Sequence, residues 1–150
     1  LWPPQDAAGL ARLRAQSTVP IAAGENAASV ADFMRLLASD AIDLAQPSVT
    51  KIGGVTAMLA IARAAAARGI AVAPHSPYFG PGLVATLHVL AALAPDALVE
   101  HLFYDLEPGP LGERVLAPGG RFAVPQDPGL GADPDPQVLE NLVSRKEETT

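Results

Sequence analysis

Four short apolar runs, each closing on a polar residue, constrain this chain more than anything else in it. The residues that close them, Glu25, Ser48, His75 and Glu100, recur every 23 to 27 residues. The runs are Val19–Ala23, Ala41–Ala45, Ile70–Ala73 and Ala97–Val99, and none of them alternates polar with apolar. A strand that is apolar on both sides belongs in a parallel sheet covered on both faces. The segments between them have helical spacing. Ser29 is a natural cap for a helix through Ala38 with Val30, Phe33, Leu36 and Leu37 on one face. Val55–Arg68 reads as a long helix with Met58, Leu59 and Ile61 inward and Gly69 as its stop. Asp6–Ala15, with Leu10 and Leu13, and Leu83–Leu93 complete the set. Repeated strand–helix units of this length place functional side chains at one rim of a parallel barrel.

From Pro108 the character changes. Proline and glycine become frequent and the helical period is lost. One strand over Arg121–Pro125, a turn at Pro128–Gly131 and a short helix over Gln137–Val143 are expected, with Lys146–Thr150 frayed. The expected division is residues 1–107, about four β/α units, and residues 108–150, an irregular C-terminal tail.

Ten basic against sixteen acidic residues give a net charge of −6. That argues against nucleic acid or an anionic membrane as partner. No apolar run approaches the ~18 residues a membrane span requires. With no cysteine, disulfides and thiolate chemistry are excluded, and a cytoplasmic setting is expected. GxxxxGK[ST], HExxH and GxSxG are all missing, so nothing supports a P-loop, zinc-protease or serine-hydrolase reading.

The rim residues carry the chemistry. Glu25, at a strand end, is a hard oxygen donor suited to Mg²⁺; a surface glutamate capping a loop has the same sequence signature. Asn26 can orient it. His75 suits acid–base work, or a structural role. Glu100 fits a ligand, a protonated donor to substrate, or an ion-pair partner. Lys51 can hold a carboxylate near the site or pair with a rim acid, and Gly53-Gly54 marks a tight turn that can also contact an anion. His88, mid-helix among Leu87, Val89 and Leu90, reads as structural. His101 is expected to point away from the barrel interior.

Pro20-Ile-Ala-Ala-Gly-Glu25-Asn26, Gln46-Pro-Ser48-Val-Thr-Lys51-Ile-Gly-Gly54, Pro74-His75-Ser76 and Val99-Glu100-His101 together resemble strands five to eight of an enolase-superfamily barrel, in its mandelate racemase/muconate lactonizing branch. Val124-Pro125 through Gly131 resembles the tail that returns to that family's capping domain. The resemblance implies an α/β fold, the C-terminal half of a TIM-type barrel, with Mg²⁺ as cofactor. It implies Glu25 as a metal ligand, His75 as the residue that moves a proton beside the substrate carboxylate, and Glu100 as the acid that hydrogen-bonds that carboxylate. Ser48 and Lys51 then bind or orient substrate, with Asn26.

One departure shapes the expected reaction. The family places an Asp or a Lys where this chain has Ser48, which brings no negative charge to His75. A general acid that protonates a departing hydroxide fits that arrangement, so dehydration of an acid sugar or hydroxy acid is expected ahead of racemisation or epimerisation. A non-catalytic half-barrel module is the third reading. Leu1-Trp2-Pro3-Pro4, without an initiating Met, resembles sequence just after the family's second metal ligand. The chain is therefore expected to be a segment of a longer, homo-oligomeric enzyme and to be inactive by itself.

Overall fold

The computed structural model describes residues 6–77, 79–102 and 109–144, without the side chains of residues 114 and 142–144. The Leu1–Pro4 string, the expected boundary at residues 107 and 108, and the Lys146–Thr150 end lie outside the described residues.

Helices and strands alternate as the spacing requires. In order they are α1 (Ala7–Gln16), β1 (Ala22–Ala23), α2 (Val30–Ala38), β2 (Leu44–Ala45), α3 (Val55–Ala66), β3 (Ala71–Val72) and α4 (Pro81–Leu93). Two short 3₁₀ turns, Gly112–Val115 and Pro118–Gly120, lead to α5 (Pro136–Ser144). The strands form one parallel sheet in the order β1-β2-β3, with Ala22 opposite Leu44 and Leu44 opposite Ala71. The ladder is short, but backbone bonds continue past it toward the strand ends. Gln46 N–H donates to Ala23 O, Ala73 N–H to Ala45 O, and His75 N–H to Pro47 O at 3.1 Å.

Local chemistry sets the helix starts. Ser29 Oγ accepts from Asp32 N–H and donates to the Asp32 carboxylate, so the two ends of the first turn of α2 satisfy each other. That second bond, with the charge of Arg35 behind it, holds the Asp32 carboxyl below the ordinary aspartate range. Asp6 caps α1 by accepting from Gly9 N–H at 2.9 Å. Gly53 and Gly54 both have positive φ, 103° and 94°, which a side chain resists. They make the turn into α3, and Gly54 N–H donates to Val49 O.

Burial follows the expected faces. Phe33, Ile42, Met58 and Ile61 are fully buried between the helices and the sheet. A second cluster, Leu83, Val84, Leu87, Leu111 and Val115, joins α4 to the tail. Leu130 packs against both clusters. His88 Nε2 lies 3.0 Å from Leu130 O, so this helical histidine fastens the tail. At the opposite end of the strands from His75, Arg14 reaches Asp40 at 2.7 Å and Asp43 at 2.8 Å. Asp43 also accepts from Ile21 N–H at 2.8 Å, pinning the start of β1 to β2.

Three expectations fail in detail. Ala97–Val99 does not form a fourth strand: among the described residues no backbone–backbone bond joins residues 98–102 to β3, and Leu98 is 77% exposed. A strand needs a ladder partner as well as apolar side chains, and here the hydrogen bonds to it from the segment that follows β3 run from Ser76 to Glu100. Arg121–Pro125 is irregular, since Pro125 has no N–H to donate and the Gln126 side chain caps Val124 O. Leu13 is half exposed, and Gly9 is the buried residue of α1. Among the described residues no helix is long and apolar enough to cross a membrane.

Candidate active site at the strand ends

Three residues separated by 75 positions in sequence meet at one point. Glu25 follows β1, His75 follows β3, and Glu100 ends the unpaired segment beside β3. His75 Nδ1 lies 2.8 Å from Glu100 Oε2 and 3.3 Å from Glu25 Oε2. The histidine side chain is mostly buried, at 17% exposure, while both carboxylates are nearly half exposed. The carboxylates therefore face solvent, while the histidine nitrogen they share is buried.

Each is positioned by a specific local device. Glu25 sits after Gly24, whose φ of +123° turns the chain out of β1. A Cβ on Gly24 would stand 2.4 Å from Phe33 Cε2, so the turn lies directly on the buried ring. Asn26 Nδ2 donates to Glu25 Oε1 at 3.2 Å, which leaves Oε2 toward His75. His75 is anchored through its backbone to Pro47, the residue before Ser48. Ser76, which the sequence reading passed over, is fully buried and bonds Glu100 twice, through its backbone N–H and its hydroxyl. A serine after a histidine has no periodic signal, so only the fold exposes that role.

The other predicted residues are placed differently. Ser48 is fully buried, with Oγ 3.0 Å from Thr50 Oγ1. Lys51 is exposed and makes no side-chain ion pair among the described residues, so the structure does not bring it to the rim acids. The negative charge that Ser48 cannot bring to His75 comes instead from Glu25 and Glu100. A protonated ring there forms a charge-assisted pair with either carboxylate. His101 points away from this cluster, edge-on between Phe79 at 6.0 Å and Phe122 at 5.2 Å.

An open cavity of about 830 Å³ adjoins Glu25 and Asn26 and is also lined by Asp32, Arg35 and Gln46. A more apolar cavity of about 420 Å³ lies between α3, β3, α4 and residues 96–98, and Glu25, His75 and Glu100 do not line it. As for a metal, Glu25 offers the oxygen chemistry a hard cation takes. Among the described residues, however, no three His, Cys, Asp or Glu side chains converge as an ion would need. Glu25 by itself therefore matches the donor chemistry of such a site without completing one among the described residues.

A family model described as enolase C-terminal domain-like matches residues 1–138. A D-galactonate dehydratase of Ralstonia nicotianae is 35% identical over 146 residues, covering 90% of this chain and 37% of that protein. Among solved structures, a mandelate racemase/muconate lactonizing enzyme-like protein from Rubrobacter xylanophilus aligns with a TM-score of 0.79 and 32% identity, over 93% of this chain and 36% of that one. The L-talarate dehydratase from Polaromonas sp. JS666, complexed with Mg and L-glucarate, aligns with a TM-score of 0.71 and 30% identity, over 92% of this chain and 37% of that one. The chain spans little more than a third of the length of each of these relatives.

Proposed function

We propose that this chain, which belongs to the mandelate racemase/muconate lactonizing branch of the enolase superfamily, supplies one side of the active site of a Mg²⁺-dependent acid-sugar dehydratase. The observation that carries the proposal is the meeting of Glu25, His75 and Glu100 within 3.3 Å, from three separate segment ends. The dehydratase names of its relatives support the reaction class. The substrate is a small sugar acid with a hydroxyl on the carbon beyond the α-carbon.

In this reading the α-proton leaves to a base supplied outside the described residues. The electron pair forms a carbon–carbon double bond as the β-hydroxyl departs, and His75, protonated beside Glu100, gives that oxygen the proton that makes it water. The resulting enol becomes a 2-keto acid. Glu100, 2.8 Å from His75 Nδ1, holds that ring in place for the transfer. Glu25 would hold the metal together with ligands from outside the described residues, and Mg²⁺ there would supply positive charge to the substrate carboxylate as the α-proton leaves. A cytoplasmic, homo-oligomeric enzyme, and inactivity of the 150 residues alone, are parts of the same proposal.

The test is a panel of sugar acids, galactonate, gluconate and arabinonate among them, with Mg²⁺ and the complete natural polypeptide, trapping 2-keto acids. Keto-acid formation is expected, with His75→Asn lowering kcat by about 10²- to 10⁴-fold. Exchange of the α-proton with deuterium from solvent, without keto acid, would point instead to racemisation or epimerisation. Neither product from any substrate would support the non-catalytic reading. Turnover by the isolated 150 residues would refute the claim that they are inactive alone.

A further inference from the structure

We infer that Ser76 is a positioning residue that holds the Glu100 carboxylate against His75; its catalytic consequence rests on the role proposed above for Glu100. The segment that carries Glu100 lacks the support the other two rim residues have. Glu25 and His75 continue from strands of the ladder, whereas residues 98–102 share no backbone–backbone bond with β3 among the described residues. Ser76 replaces that ladder. Its Oγ lies 3.1 Å from Glu100 O and 3.3 Å from Pro74 O. A hydroxyl has one proton to donate, and the shorter contact is the one that crosses to Glu100.

The backbone N–H of the same residue points at Glu100 Oε2, at 3.3 Å. That oxygen is the one 2.8 Å from His75 Nδ1. One serine therefore fixes both the main chain of Glu100 and the direction of its carboxylate. Ser76 itself is fully buried, so its end of both bonds is fixed by packing while the Glu100 end stays open to solvent. On the far side His101 is held edge-on between Phe79 and Phe122, which limits sideways movement of the same backbone. Without the hydroxyl, Glu100 O loses its tie and the carboxylate swings on a loose segment.

The experiment uses the complete natural polypeptide with Ser76→Ala, Ser76→Thr and, as control, Thr86→Val. Thr86 is as deeply buried and bonds Gly82 O at 2.9 Å within α4. Limited proteolysis between residues 97 and 102 is expected to quicken about fivefold in Ser76→Ala, the effect of losing one ordinary hydrogen bond. Ser76→Thr keeps the hydroxyl and restores slow cleavage; Thr86→Val leaves cleavage there unchanged. With a sugar-acid substrate, Ser76→Ala is expected to lower kcat about 10- to 100-fold with little change in KM. It should add nothing further in a Glu100→Gln background. Should Ser76→Ala fail to fold, Ser76→Cys, a weak donor of similar volume, carries the same expectations. Unchanged cleavage between residues 97 and 102, or full additivity with Glu100→Gln, overturns the inference. Absence of any sugar-acid turnover in the wild type defeats the functional reading instead, while proteolysis still decides whether Ser76 holds Glu100.

Discussion

Replacing Gly24 by alanine is the sharpest test of how the Glu25 turn is built. Two costs combine. Gly24 has φ +123°, a region nearly restricted to glycine, and a side chain there costs about 1–3 kcal/mol. The added Cβ would also stand 2.4 Å from Phe33 Cε2 and 2.5 Å from Cζ. A ring edge can often swing aside, but Phe33 has 0% exposure and is packed in the main core cluster. Overpacking of this kind costs about 1–3 kcal/mol. The sum, about 2–6 kcal/mol, lowers the urea midpoint by roughly 1–3 M for a slope of about 2 kcal/mol/M. A second substitution separates the two terms. Phe33→Leu removes the ring edge, so Gly24→Ala in that background keeps only the backbone cost. The double-mutant cycle is then non-additive by about 1–3 kcal/mol. An additive cycle, or a Gly24→Ala midpoint within experimental error of the wild type, would show that the turn does not rest on the ring.

Two further outcomes are expected. The Asp43 carboxyl is held below the ordinary aspartate range, first by the Ile21 N–H and then by Arg14. A depressed carboxyl contributes stability above its unfolded value, near 3.8, and loses it as pH falls through the folded value. Asp43→Asn should therefore destabilise at neutral pH and converge on the wild type in acid; a penalty that does not change between pH 7 and pH 2.5 in urea unfolding would contradict this. His88→Leu removes the tie to Leu130 O and should cost about 1 kcal/mol. Limited proteolysis is then expected to cut near Gln126–Gly131 faster than in the wild type, and an unchanged cleavage rate there would remove the tether from the account.

The parts of this structure that local chemistry decides were legible in the chain. The Ser29 cap, the apolar face of α2 and the stop of α3 before Gly69 each depend on residues within a few positions of one another. The places of Glu25 and His75 just past strands were also legible, because a strand end follows from where an apolar run stops; Glu100 meets them without a strand of its own. What escaped depends on neighbours distant in sequence. Ala97-Leu98-Val99 has the composition of a strand but lacks a ladder partner, and composition is silent about partners. Lys51 carries a suggestive motif, yet the turn through Gly53 and Gly54 leaves its side chain in solvent. The charge beside His75 is of the same kind: Ser48 brings none, and the two glutamates that do are 50 and 25 positions away in the chain.

Leu130 packs against both apolar clusters, one between sheet and helices and one between α4 and the tail. A side chain shared in this way couples the two clusters energetically: neither can open fully without stripping contacts from the other. The tail and the strand-bearing region should consequently melt in a single cooperative transition, and the rim that carries His75 and Glu100 inherits the stability of a segment thirty residues further along the chain.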